Sequence, residues 1–174
     1  MSNFYFLEKM NPIFLQIADS AENNIIPDPN TTLIKLRQLG EAIAQDVAAR
    51  IGIDFDQSIS QVDLLYKISR ELKPDQTIMD LFHKIRKEGN RATHQFDTHH
   101  REAMDGIKVA RELSIWYFRS FQDSNFKPKK FIALTDPSTE LRSLQTDILK
   151  LKTQLLNTNE KLENNLEMNA LLAK

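Results

Sequence analysis

Cysteine is absent from the 174 residues, and glycine and proline are scarce, with four and six copies. The absence of cysteine excludes disulfides, thiolate catalysis and cysteine-ligated zinc, and it is compatible with a reducing compartment. Four scattered glycines cannot form the glycine-rich phosphate-binding loops of dinucleotide-binding and P-loop proteins. No apolar run approaches the roughly 20 residues that span a bilayer, and the chain does not begin with a signal-peptide pattern. We therefore expect a cytoplasmic protein without a membrane segment.

An excess of charge of one sign is also missing, because 23 basic and 24 acidic side chains leave a formal net charge of -1. No global field would draw such a chain onto nucleic acid or an anionic membrane, so any binding of that kind must come from a local patch. Hydrophobic residues make up 41% of the chain and charged residues 27%, which is typical of a domain with a packed core. The length fits one domain followed by a tail.

The few helix-breaking residues leave long segments in which apolar residues recur at helical spacing, and neither a strand pattern nor an internal repeat is evident. Pro12 breaks or kinks the first predicted helix, Asn30 or Thr31 caps the second, and Gly89 ends the fourth with the positive φ of a C-cap. The fifth is apolar on two faces and is predicted to be central. The predicted helices cover about residues 4–22, 31–50, 60–71, 75–89 and 99–121. The sequence thus predicts an all-α helical bundle over residues 1–121.

The rest of the chain has a different character. Residues 122–138 are predicted to be a basic, aromatic linker. From Thr139, apolar residues follow the alternating spacing of three and four that is typical of a short coiled-coil seam. Those residues are Leu141, Leu144, Ile148, Leu151 and Leu155. No helix stop precedes Lys174, so residues 139–174 are predicted to be the start of a coiled-coil helix that is cut off. We expect this seam to permit self-association, and removal of the residues after Pro137 to leave a monomer.

The most distinctive polar segment lies around the predicted end of the fourth helix, where Arg86, Asn90 and His94 occur close together. An arginine, an asparagine and a histidine that converge at a helix end can grip a phosphate or position a ribose hydroxyl, with the histidine exchanging a proton near neutral pH. Alternatively, Asn90 and His94 satisfy backbone groups at the helix end. For polar residues at helix ends this structural role is the more common one.

Arg37 and Glu41 raise a similar question, because they lie one turn apart on the second predicted helix, beside a strip of glycine and alanine. In one interpretation they form an ordinary surface pair of little energetic weight. In the other they face inward and join Asn90 and His94 in a buried polar network that sets the register of two helices.

Two further groups of side chains have a functional and a structural interpretation. His94, His99 and His100, with His83 on the preceding helix, offer nitrogen ligands for a metal ion, but no carboxylate motif accompanies them, so we predict no metal site. Three lysines of the linker, flanked by Phe126 and Phe131, either contact nucleic acid or belong to a solvated linker with packed ends. These lysines are Lys127, Lys129 and Lys130.

Several ordered blocks of the sequence resemble the N-terminal helical domain of the R subunit, the restriction and translocation subunit, of type I restriction-modification enzymes. The resemblance covers about residues 3–131. The blocks are Asn3-Phe4-x-Phe6-Leu7, Asp28-Pro29-Asn30-Thr31-Thr32-Leu33-Ile34-Lys35-Leu36-Arg37, Gly40-Glu41-Ala42, Leu81-Phe82-His83-Lys84-Ile85-Arg86-Lys87-x-Gly89-Asn90-x-Ala92-x-His94 and Ala110-Arg111-Glu112-Leu113-x-Ile115-Trp116-Tyr117.

The resemblance implies a non-catalytic assembly or regulatory domain within a longer DNA translocase and endonuclease. In that family, a PD-(D/E)xK nuclease and an ATP-dependent DNA motor follow the helical domain. ATP and Mg²⁺ are implied for those later domains and no cofactor for this segment. The implied partners are the modification and specificity subunits, with DNA bound through the full-length protein.

The helical segment also resembles the HEPN superfamily, whose ribonucleases carry an arginine, then a polar residue, then a histidine. Asn90 and His94 match the polar and histidine positions, whereas Gly89 stands at the arginine position and Arg86 lies too far upstream to replace it. The resemblance therefore leaves an alternative, a stand-alone domain that cleaves RNA or binds nucleic acid, in which His94→Ala would abolish cleavage and leave the fold intact.

Overall fold

The computed structural model describes residues 2–134 and 137–172, and these residues form six α-helices and one short 3₁₀ helix, with no strand among them. The 3₁₀ helix covers Tyr5–Lys9. It is followed by α1 (Pro12–Asn24), α2 (Pro29–Arg50), α3 (Gln61–Leu72), α4 (Gln76–His94), α5 (His100–Phe121) and α6 (Pro137–Leu172). The predicted all-α fold is confirmed. The chain divides into two compact units, one ending at Leu134 and one containing α6.

Helix starts follow the capping chemistry of the sequence, with one correction at α2. This helix begins at Pro29, and its cap is Asp28, whose carboxylate accepts from the backbone N–H of Thr31 at 3.0 Å. The predicted cap Asn30 instead lies inside the first turn, where its side-chain amide donates to the carbonyl oxygen of Ala92 at 2.6 Å. Asn30 therefore fastens the start of α2 to the end of α4.

The prediction that Gly89 ends the fourth helix is wrong. α4 continues to His94, Gly89 is buried within it, and among the described glycines only Gly52 has a positive φ, of 75°. A glycine permits a left-handed C-cap, but it equally permits a close helix crossing, and Gly89 serves the second purpose.

α2 is the central helix of the bundle, in place of the predicted α5. It packs against α1, α3, α4 and α5, whereas α5 packs against α2, α4 and the 3₁₀ helix. The core side of α2 is mostly apolar, with Leu33, Leu36, Leu39, Ile43 and Val47 each at most 2% exposed. A helix surrounded by four others must bury residues around most of its circumference, which α2 does with a mixture of leucine and small residues.

The described residues 122–134 of the predicted linker pack against the bundle. The ring of Phe126 lies 5.0 Å from that of Phe6 and 4.6 Å from that of Phe118, and the backbone of Ile132 is hydrogen-bonded to the side chain of Asn3. The compact unit consequently extends to Leu134, beyond the boundary drawn at residue 121. Aromatic burial of this kind anchors a segment without secondary structure.

α6 carries the predicted seam on its surface. The five seam residues are between 57% and 65% exposed. Pairing of this seam with another helix stays a prediction. Within the described ranges, none of the helices has the length and apolarity needed to span a membrane.

Candidate functional site

The predicted polar site lies where α2 and α4 cross at close range. A side-chain carbon added at Gly89 would lie 2.4 Å from Cβ of Arg37, and one added at Gly40 would lie 3.2 Å from Cγ2 of Ile85. The first distance is far below van der Waals contact, and Cβ of Arg37 cannot rotate away because it is bonded to the backbone. Only glycine fits at position 89 without moving a helix, and the side chain of Arg37 passes directly over it.

Arg37 joins the two helices through its guanidinium group. Nη1 donates a hydrogen bond of 2.9 Å to Oδ1 of Asn90, and Nε lies 3.1 Å from Oε1 of Glu41 in an ion pair that lacks hydrogen-bond alignment. The side chains of Arg37 and Glu41 are 28% and 35% exposed. The structure therefore brings together three members of the predicted network at the edge of the helix crossing, where they are partly exposed.

Arg86 and His94 lie one turn before and one turn after Asn90 on the same face of α4. His94 is exposed, and no hydrogen bond or ion pair connects it to another described residue. Arg86 is half-buried, and its Nε has no hydrogen-bond partner in the described part of the chain. Because Nε itself is shielded from solvent, an outside acceptor such as a phosphate oxygen would have to approach the other nitrogens of this half-buried guanidinium.

Around His83 on this face of α4, the positive charges of Arg86 and Lys87 outnumber the negative charge of Asp80. Burial, followed by the positive charges of Arg86 and Lys87, lowers the pKa of His83 below its usual value of 6.5. Protonation of His83 would add a third positive charge to this turn, and the neutral ring avoids that repulsion. An anionic ligand is the kind of group that this face would attract.

In the arginine–polar–histidine site of HEPN ribonucleases the three residues follow one another in sequence, whereas here the arginine beside the polar residue comes from a different helix. Gly89 stands at the arginine position of α4, and the guanidinium of Arg37 reaches Asn90 from α2 across that glycine. His94 lies outside this hydrogen-bonded group. The geometry supports binding of an anion, or a role in setting the register of α2 and α4. It supports proton transfer less directly, because proton transfer requires the histidine within hydrogen-bond reach of the reacting group.

The other histidines do not assemble into a ligand set. His99 and His100 are exposed at the start of α5, as His94 is at the end of α4. Among the described residues, no three histidine, aspartate or glutamate side chains are placed to hold a metal ion.

The three lysines of the linker are exposed, and the segment that carries them is fixed to the bundle. The ammonium group of Lys129 lies 4.8 Å from the ring centroid of Tyr5, and its backbone carbonyl accepts a hydrogen bond from Arg111. Lys127 and Lys130 extend from the same segment. The lysines therefore form a small basic patch on a segment that is anchored to the bundle.

A cleft of about 310 Å³ lies between α2, α4 and α5. Leu33, Leu36 and Ile85 contribute apolar surface to it. Arg91 lines the cleft, and its Nη2 lies 3.0 Å from Glu88 and 2.9 Å from Glu102. The hydrogen bond from Arg91 lowers the pKa of Glu102. Arg91 is therefore satisfied by these two carboxylates, whereas Lys84 also lines the cleft and contributes a positive charge there.

Sequence reasoning missed a buried polar network around the N-terminal segment. The side chain of Asn3 donates to Oε1 of Glu22 at 2.8 Å and to the carbonyl oxygen of Ile132 at 2.9 Å, and Arg111 donates to the carbonyl oxygen of Asn3 at 3.2 Å. Asn3, Glu22 and Arg111 are between 3% and 9% exposed. The available signal was the position of Glu22 and Arg111 among apolar residues on the inner faces of their helices.

A further hydrogen bond joins α2 and α5 near their C-terminal ends. The hydroxyl of Tyr117, a fully buried residue, donates to the carboxylate of Asp46, which also pairs with Arg50. Burial and this hydrogen bond raise the pKa of Tyr117. The tyrosine is therefore a structural donor in its protonated form.

Comparison with known proteins relates the chain to a subunit of a restriction enzyme. No protein-family model and no solved structure matches the chain. The endonuclease subunit of the type I restriction enzyme EcoKI, from Escherichia coli (strain K12), is 35% identical over 155 residues, which cover 88% of this chain. The chain spans only 13% of the length of that subunit. The similarity relates this chain to the endonuclease subunit of a type I restriction enzyme, and the resemblance to HEPN domains stays a prediction.

Proposed function

We propose that this chain is the N-terminal, non-catalytic assembly domain of a type I restriction enzyme R subunit. The observation that carries the proposal is the 35% identity to the EcoKI endonuclease subunit over nearly the whole chain and only a small part of that subunit. A full R subunit would combine ATP-driven translocation with DNA cleavage. The glycine-poor chain has no phosphate-binding loop for ATP, and in this proposal ATP, Mg²⁺ and the cleavage chemistry are assigned to the remaining domains of such a subunit.

The polar contacts of the bundle support a structural role for its charged residues. Arg37 is committed to Asn90 and Glu41, and Arg91 to Glu88 and Glu102, so these charges hold helices together. A catalytic site would instead present its acid, base and nucleophile to one another. The bundle serves as a rigid body whose surface contacts other subunits.

The partners in this proposal are the modification and specificity subunits of the same restriction system. The test is to mix the purified chain with the purified modification–specificity complex and to measure the mass of the mixture by sedimentation. We expect a heavier species that contains both components. A modification complex from an unrelated restriction system is the control and should not bind. Independent sedimentation of the chain and its own complex would contradict the proposal.

A second candidate function, RNA cleavage or nucleic-acid binding of the HEPN type, rests on a specific observation. The guanidinium of Arg37 lies beside Asn90 and next to Gly89, the residue at the arginine position, and the partly exposed Arg86 lies one turn away on α4. The purified chain should be incubated with RNA in the presence of a chelator. Degradation that disappears in His94→Ala, with the fold retained by circular dichroism, would favour this candidate. Intact RNA at high protein concentration would exclude the nuclease.

A further inference from the structure

α6 presents one continuous apolar seam to the outside. Leu141, Ile148 and Leu155 occupy the first position of successive heptads, position a, and Leu144 and Leu151 occupy position d. All five are more than half exposed. The next d position holds Thr158, so the uninterrupted apolar run ends at Leu155. A solvated helix of this kind gains little from propensity alone and is stabilised when the seam is covered.

We propose that the seam is covered by α6 of a second copy of the chain, in a parallel, in-register, two-stranded coiled coil. Leucine at both apolar d positions and isoleucine at one a position are compatible with two parallel strands.

Charge complementarity supports a second copy as the occupant. Asp147 occupies position g, beside the seam, and Lys152 occupies position e of the following heptad. In a parallel pair, position g of one strand faces position e of the next heptad on the other strand. Asp147 of each chain would thus face Lys152 of its partner, and the two-fold symmetry would produce two such ion pairs.

The composition of the seam favours the parallel orientation. In a parallel pair each seam residue faces its own copy, so all five apolar residues form matched layers. In an antiparallel pair, a positions face d positions. The seam has three a residues but only two d residues on each chain. In an antiparallel pair, at least one a residue of each chain would therefore face no apolar seam residue of the other chain. The parallel pair therefore buries more of the seam.

The first test compares two leucines of α6 that are equally exposed. Leu151 is 64% exposed and lies in the seam. Leu149 is 68% exposed but lies outside the seam, about 100° around the helix from the seam residue Ile148. By light scattering, the unaltered chain and Leu149→Glu should have twice the 20.2 kDa mass of one chain, and Leu151→Glu should have the mass of one chain. A monomeric unaltered chain at all concentrations, or equal loss of the dimer in both variants, would overturn the proposal.

The second test fixes the orientation and exploits the absence of cysteine. A cysteine introduced by Leu151→Cys is the only thiol in the chain, and in the parallel pair it faces its own copy. Thr153→Cys places the thiol on the outer side of the helix and is the matched control. Under mild oxidation, Leu151→Cys should form a disulfide-linked dimer far faster than Thr153→Cys. A dimer that forms no such disulfide in Leu151→Cys would refute the parallel register.

Discussion

Replacement of Gly89 by alanine tests whether the bundle depends on the close crossing of α2 and α4. The added methyl group would lie 2.4 Å from Cβ of Arg37 and 3.0 Å from its Cγ and Cδ. The outer part of the arginine can rotate, but Cβ cannot, so the methyl group is accommodated only if the helices separate. Separation would also weaken the hydrogen bond between Arg37 and Asn90, which is 2.9 Å long.

The expected loss of stability follows from three contributions. Overpacking costs about 1–3 kcal/mol, and loss of a partly exposed hydrogen bond costs about 0.5–1.5 kcal/mol. Alanine returns roughly 1 kcal/mol, since it favours a helix interior more than glycine does. The net prediction for Gly89→Ala is destabilisation by about 2 kcal/mol.

The assay is urea denaturation followed by circular dichroism. Gly40→Ala is the matched control, because its added methyl group would lie 3.2 Å from Cγ2 of Ile85, a side-chain atom that needs to move by only a few tenths of an ångström. We expect a markedly smaller effect for Gly40→Ala. In the double variant Arg37→Gly with Gly89→Ala, the new methyl group should fit, although the hydrogen bond to Asn90 is lost. If Gly89→Ala alone were as stable as the unaltered chain, the close crossing would play no part in stability.

Two further predictions concern other polar groups of the bundle. Asn3→Ala removes the side-chain hydrogen bonds to Glu22 and Ile132, while the carboxylate of Glu22 keeps the Ser2 hydroxyl and the backbone N–H of residue 3 as donors. Urea denaturation should show a loss of about 2–4 kcal/mol, and an unchanged midpoint would contradict this. His83 has a lowered pKa in the folded state, so the unfolded state takes up its proton first as the pH falls below about 6.5, and stability is lost towards the lower folded pKa. His83→Gln should therefore lose less stability than the unaltered chain between pH 7 and pH 5, and equal losses in the two proteins would contradict the lowered pKa of His83.

The sequence predicted the helices well because each carries its own local signals. Apolar periodicity identified α1 to α5, and Pro12 marked the break between the 3₁₀ helix and α1. The cap of α2 was misplaced because Asp28, Asn30 and Thr31 are all favourable caps. The choice depends on the contact between Asn30 and the carbonyl of Ala92, which is remote in sequence.

The site was harder to predict because its geometry comes from contacts between helices. The sequence singled out Arg37, Glu41 and Asn90, and the structure places them together. It could not show that Gly89 is a crossing point, since a glycine has the same local signature in a C-cap and in a helix contact. The network around Asn3 joins segments more than a hundred residues apart, and no periodicity reveals such pairing.

The most direct test of the proposed function is to read the coding DNA beyond the codon for Lys174. If the chain is a domain of an R subunit, the open frame continues and encodes an acidic nuclease motif and a G-x-x-x-x-G-K-[ST] loop for ATP. A stop codon immediately after Lys174 would contradict that assignment. The Arg37–Asn90 cluster and His94 would then have to be tested as the site of a free-standing nucleic-acid-binding or RNA-cleaving domain.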